Sequence, residues 1–164
     1  MKTLMIIRHA KSSWNEPGLP DHDRPLNDRG LQDASLMGAV LRDWDLPPTR
    51  VISSSAVRAL TTAELVLQEI GWGVDEIQVE EDLYHASAGG TLDIILSQED
   101  RLESLMLFGH NPGMTDLVNR LSDADLTKLP TAGLFIAQYD VPRWQDLGPS
   151  RLGEYNLEFP KSYR

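Results

Sequence analysis

Two arginines and two histidines in this chain stand at equivalent places. Arg8-His9 ends the apolar run Thr3 to Ile7, and Gly109-His110 ends the run Leu105 to Phe108. Arg58 follows the run Arg50 to Ser53 and the serines Ser53-Ser54-Ser55. Guanidinium groups present fixed, paired donors to phosphate oxygens, and a neutral imidazole is a nucleophile that needs no strong base near pH 7. If the three runs are neighbouring strands, these four side chains converge on one point and suit a compact dianion. His9 is then the nucleophile of a phosphoryl transfer. Arg8, Arg58 and His110 stabilise charge on the three equatorial oxygens, and water hydrolyses the phospho-His9 intermediate. The arginine charges disfavour the imidazolium form of His9. They also supply the neutralisation that Mg²⁺ gives elsewhere, so neither a metal nor another cofactor is expected. A lone histidine at a strand end is more often a structural hydrogen-bonding residue, and only the constellation raises His9 above that reading.

The elements that must position these residues alternate along the chain, the pattern of an α/β sandwich with a largely parallel sheet. Thr3 to Ile7, Arg50 to Ser53 and Leu105 to Phe108 read as buried strands whose carboxyl ends carry the candidate site, where α/β sheets bind ligands. A loop rich in Pro, Gly and Asp runs from Glu16 to Asn27. Asn27 caps a helix with Leu31, Ala34, Met37, Leu41 and Trp44 on one face, closed by Pro47-Pro48. Ser54 or Ser55 is expected to cap the next helix, which carries Ala59, Ala63, Val66, Leu67 and Ile70 at helical spacing. Ile77 to Glu80 is a weaker strand and Thr91 to Gln98 a helix. Pro112 suits the start of another helix, Leu134 to Tyr139 is a strand, and Trp144 to Phe159 holds an edge strand. No internal repeat or boundary appears, and residues 1–164 are expected to form one domain of about average size.

Composition narrows the chemistry. The chain has no cysteine, which excludes a disulfide framework, a thiolate nucleophile and a zinc-thiolate site. A formal net charge of -10 disfavours nucleic acid as a partner. No apolar run approaches the roughly 18 residues of a membrane span and no leader precedes the first strand, so a cytoplasmic protein without membrane contact is expected. Any anion it binds has to meet a local cluster of positive groups.

Arg8-His9-Ala10, followed by Ser12 and Trp14-Asn15, resembles the opening signature of the histidine phosphatase superfamily, with Ala10 where most members have Gly. Ser53 to Ala59 with Thr62-Ala63-Glu64 resembles the second motif of that family, Ser55 replacing a frequent Pro. Gly109-His110-Asn111-Pro112-Gly113 is similar to the motif that supplies the second histidine, in the form of the small branch that includes the SixA phosphohistidine phosphatases. Asp23-Arg24-Pro25-Leu26 with Gly30 fits the same branch. The resemblance covers nearly the whole chain. It implies a phosphoglycerate mutase-like, three-layer α/β/α sandwich with a mixed, mostly parallel six-stranded sheet. It also implies that the strands ending at His9 and His110 lie side by side, and that Asn15 holds the place of a phosphate ligand.

Larger members of the family place a Glu after the third strand to protonate an alkoxide leaving group. In this chain Leu83-Tyr84-His85 stands there, behind Glu81-Asp82. His85 is thus a candidate acid, although a surface or capping role suits it better. An imidazole leaving from phosphohistidine is already protonated at its other nitrogen and needs no such acid. The leading expectation is therefore a phosphohistidine phosphatase acting on a phosphotransfer domain or phosphocarrier protein. Its alternatives are a phosphatase for a small phosphomonoester and a module that binds phosphohistidine without turnover. A metal hydrolase built on His9, His110 and an Asp is disfavoured, because the arginines repel a divalent cation.

Overall fold

The computed structural model describes residues 1–164. Six strands form one sheet: β1 (Lys2–Arg8), β2 (Arg50–Ser53), β3 (Gln78–Val79), β4 (Ser104–Gly109), β5 (Leu134–Tyr139) and β6 (Leu152–Glu158). Their order is β3-β2-β4-β1-β5-β6. β3, β2, β4 and β1 run parallel, whereas β5 is antiparallel to both β1 and β6. The expected mixed, mostly parallel sheet is observed.

Four helices cover the sheet: α1 (Asp28–Trp44), α2 (Val57–Ile70), α3 (Ala88–Leu96) and α4 (Gly113–Leu121). β1 is apolar and buried on both faces, with side chains alternating between two cores. Leu4 and Ile6 join Leu105, Leu107, Leu117 and Val118 beneath α3 and α4. Met5 and Ile7 join Met37, Leu67, Met106 and Phe108 beneath α1 and α2. The result is the expected three-layer α/β/α sandwich. No helix is long and apolar enough to cross a membrane.

Local chemistry sets most element ends. Asn27 caps α1 as expected, its side chain accepting from the Gly30 N–H at 2.8 Å. α2 departs from expectation: its N-cap is Ala56, which has no side-chain oxygen, so neither Ser54 nor Ser55 caps it. α3 begins three residues earlier than read from sequence, because Ser87 caps it through the Gly90 N–H and draws Gly89-Gly90 into the helix. The weak strand shrinks to the exposed pair Gln78–Val79. Within Trp144 to Phe159 only Leu152–Glu158 is strand. Trp144 instead lies in a single turn, fully buried, with its indole N–H donating to the Leu102 carbonyl at 2.8 Å.

The register of β1 on β4 sets Arg8 beside Gly109, and the His9 N–H donates to the Gly109 carbonyl at 3.0 Å. The Ser54 N–H donates to the Phe108 carbonyl at 3.0 Å. Three strand ends are thereby brought to one edge of the sheet. α1 presses on the chain just beyond His9: a Cβ on Gly30 would stand 2.1 Å from the Lys11 carbonyl oxygen, which accepts the Asn27 N–H. Backbone on both sides leaves no soft neighbour to yield. Gly30→Ala is expected to lower stability by about 1–3 kcal/mol in urea denaturation and to displace the His9 loop.

Candidate active site

His9 lies at the carboxyl end of β1, 7% exposed. Its Nδ1 is 2.7 Å from the Ala10 carbonyl oxygen, which can only accept. In the neutral ring the proton therefore resides on Nδ1, and Nε2, on the opposite edge, keeps its lone pair. Ala10 is held by its own N–H, which donates to Thr62 Oγ1 at 2.9 Å, and the Thr62 hydroxyl donates to the Arg58 carbonyl. The loop bearing the histidine is thus tied to the helix bearing the arginine. The pKa of His9 is pushed down to about 4. Burial is the largest cause, with the charges of Arg58, Arg8 and Arg24 adding to it and the Ala10 carbonyl opposing it. Sequence alone points to the arginines for this effect, whereas desolvation leads.

His110 follows β4, its ring centroid 5.1 Å from that of His9. Its Nε2 is 2.8 Å from Ser54 Oγ, which also accepts the Ala56 N–H at 3.1 Å. The serine that sequence patterning reads as a helix cap instead meets the second histidine. Burial above all, then His9 and Arg58, lower the pKa of His110 to about 3. Its buried Nδ1 has no partner within the chain.

Arg58, in the first turn of α2, is 6% exposed. Its Nη1 donates to the Asp21 carbonyl at 2.8 Å and its Nη2 to Asp21 Oδ2 at 3.0 Å. Arg8 Nη1 donates to the Leu129 carbonyl at 3.1 Å. The Nε atoms of both arginines are buried without a partner. A third guanidinium, absent from the candidates drawn from sequence, completes the group. Arg24 is buried, donates from Nη1 to Ser12 Oγ at 2.6 Å, and places its Cζ 3.7 Å from the centroid of the exposed Trp14 ring.

These five side chains line one cavity of about 240 Å³ with Trp14 at its rim. Larger grooves, such as the one of about 510 Å³ along Leu36, Val40 and Trp44, hold no such convergence. Asn15, expected to touch phosphate, is exposed on the loop outside the cavity lining, its backbone N–H donating to Ser13 Oγ. His85 is exposed as well and does not line the cavity. It stacks on Tyr84 at 4.0 Å, and Tyr84 in turn meets His110 edge-on at 5.5 Å. No cluster of three His, Asp or Glu side chains suited to a metal is present. Three guanidiniums and two neutral imidazoles can bind and stabilise a compact dianion, and a free Nε2 can attack it.

Residues 4–94, more than half of the chain, match the family model of the histidine phosphatase superfamily, branch 1. The chain belongs to this superfamily. An uncharacterized protein of Mycobacterium tuberculosis is 32% identical over 94% of this chain and the whole of its own length. SixA from Agrobacterium tumefaciens has a similar structure, with a TM-score of 0.76 at 30% identity, over 84% of this chain and 92% of the other. The protein histidine phosphatase SixA solved with tungstate matches at a TM-score of 0.81 over 99% of each chain, at 20% identity, a likeness of fold. The superfamily match and the SixA-like structure make the chain a hydrolase of the phosphatase type.

The lowered pKa values have a definite sign in stability. The unfolded chain takes up protons on these imidazoles near pH 6.5, before the folded chain does, so folding is weakened as pH falls from that range through about 4 and towards 3. For His9 the loss is roughly 3 kcal/mol once pH lies below both values. Urea midpoints measured from pH 8 to pH 4 are expected to fall across this window, and less steeply in His9→Gln. The ring NMR signals of His9 and His110 should not titrate above about pH 5.

Proposed function

We propose that this protein hydrolyses phosphohistidine displayed on another protein, through a covalent phospho-His9 intermediate. The observation that carries the reading is a buried, neutral His9 with Nε2 free, set among Arg8, Arg24, Arg58 and His110, with no carboxylic acid poised to protonate a leaving group. His9 Nε2 donates its lone pair to phosphorus as the P–N bond of the substrate breaks. The reacting form is phosphohistidine protonated at its other ring nitrogen, so the bonding pair returns to the substrate nitrogen and a neutral imidazole departs. Phospho-His9 carries its own proton on Nδ1, held by the Ala10 carbonyl. Water then attacks phosphorus, the P–N bonding pair returns to Nε2, and orthophosphate leaves with both water protons, which regenerates neutral His9 with its Nδ1 proton in place. Substrate and intermediate are the same chemical group, so the leaving group is an imidazole in both half-reactions and only the nucleophile changes. The arginines and His110 meet the equatorial oxygens in both.

The neighbourhood of Tyr84 supports this choice of bond. Asp21, the carboxylate nearest Arg58, is held well below the usual carboxylate range by the hydrogen bond from Tyr84, with Arg58 and Arg24 adding to it against the opposing effect of burial. It stays ionised and cannot act as an acid. His85 lies behind the Tyr84 ring and outside the cavity. Phosphohistidine requires neither. The protein histidine phosphatase SixA, whose fold this chain shares, is named for that activity, and the partner we propose is a phosphotransfer domain or phosphocarrier.

Incubation with a histidine-phosphorylated phosphocarrier protein is expected to release orthophosphate with the wild-type chain, and at least about 10³-fold more slowly with His9→Ala. Phosphate should be trapped on His9 after rapid quenching at neutral to alkaline pH, and excess EDTA should leave the rate unchanged. Higher kcat/KM for small phosphomonoesters than for the phosphoprotein would refute the choice of substrate. Binding of the phosphoprotein without release would reduce the protein to a recognition module.

A further inference from the structure

The cavity of a phosphatase has to discriminate by charge as well as by shape, and one carboxylate in this structure is placed to do so. Asp21 lies in the single turn Asp21–Asp23, and its side chain is 49% exposed. Oδ2 accepts from Arg58 Nη2 at 3.0 Å and from the Tyr84 hydroxyl at 2.5 Å. Oδ1 meets Arg24 Nε at 3.1 Å and Arg24 Nη2 at 3.0 Å. A carboxylate has about four lone-pair directions, and all four are taken. Asp21 therefore has no acceptor site left for substrate and acts on it through its charge.

That charge sits where it matters. His9 is the buried floor of the cavity, so a group attacked by its Nε2 expels the leaving group in line, away from His9 and toward solvent. Arg24 and Arg58 both line the cavity, and the half-exposed carboxylate of Asp21 bridges these two guanidiniums, so an anion they receive feels its charge. Three guanidiniums less one carboxylate leave two positive charges, which a single phosphoryl dianion neutralises. Lys11 also borders the cavity but is exposed, so water screens it.

We propose that Asp21 is a specificity-determining residue, which matches the pocket to one phosphoryl group and turns away substrates carrying a second anion beside it. The inference rests on the cavity being a phosphoryl site and not on which bond is broken there. A suitable ligand pair is ethyl phosphate and phosphoglycolate, which differ in having a methyl or a carboxylate one carbon from the ester oxygen. Calorimetric titration of the full chain is expected to give about tenfold tighter binding of ethyl phosphate, the size of one weakly screened repulsion between unit charges. Asp21→Asn should shrink that ratio to about threefold or less. Asp21→Glu, which keeps the charge, should preserve it. Equal affinities in the wild type, a ratio unchanged in Asp21→Asn, or a common factor applied to both ligands would overturn the proposal. A wild-type chain that binds neither ligand but releases phosphate from the phosphoprotein overturns the charge rule alone. One that does neither overturns the phosphoryl-site reading with it.

Discussion

The hydrogen bond from the His9 N–H to the Gly109 carbonyl joins the two halves of the site, and almost everything else depends on it. It is the last rung of the parallel ladder between β1 and β4, strands separated by nearly a hundred residues of chain. Because side chains alternate along a strand, a slip of one residue in that ladder would turn Arg8 and His9 to opposite faces and exchange the two cores. The apolar residues that make β1 impossible to shift, Leu4 and Ile6 on one side and Met5 and Ile7 on the other, are therefore also what aims the imidazole. The sheet core and the chemistry are one constraint.

Set on that frame, the site solves an electrostatic problem. Three guanidiniums and two imidazoles share one cavity in a chain of net charge -10. Like charges this close would repel the loops that carry them, and each arginine is met by an acceptor. Leu129 offers a backbone carbonyl to Arg8, Asp21 faces Arg58 and Arg24, and the Trp14 ring lies against Arg24. The imidazoles avoid the problem by staying neutral, and burial supplies most of the penalty that keeps them so. Nucleophilicity at His9 is thus a by-product of depth. An exposed histidine beside the same arginines would lose the larger part of that effect.

Much of this was legible in the residues. The three apolar runs, their alternation with amphipathic helices, and the charged residues at their ends place Arg8, His9, Arg58 and His110 without knowledge of any contact, and the structure brings them to one cavity. What escaped is what depends on distant partners. Arg24 enters the sequence only within Asp23-Arg24-Pro25-Leu26, a stretch that suggests a family branch and no role; it meets Ser12 and Trp14, on the strand-end loop of β1. Ser54 fits the local pattern of a helix cap, yet His110, 56 residues on, reaches its hydroxyl. Gly89-Gly90 reads as loop until the Ser87 cap stabilises a turn there. Conversely, Asn15 follows a motif but faces solvent, and Ser13 Oγ, two residues earlier, accepts its backbone N–H.

The division of labour between floor and rim follows from the same geometry. The floor is made by strand ends, whose positions the whole sheet enforces, and in the reaction proposed above it supplies the imidazole that attacks phosphorus. The rim is made by Trp14, and beside it stand Asp21, on the loop that follows β1 and against Arg24 and Arg58, and Tyr84, on the segment after β3, a strand of two exposed residues. Rim residues can change without disturbing the ladder, so choice of leaving group can drift while the attack on phosphorus is retained. In this chain the rim offers an ionised carboxylate with no free lone pair and an aromatic hydroxyl committed to it. Neither can donate a proton to an alkoxide, and a group that leaves with its proton already in place is the one such a rim suits.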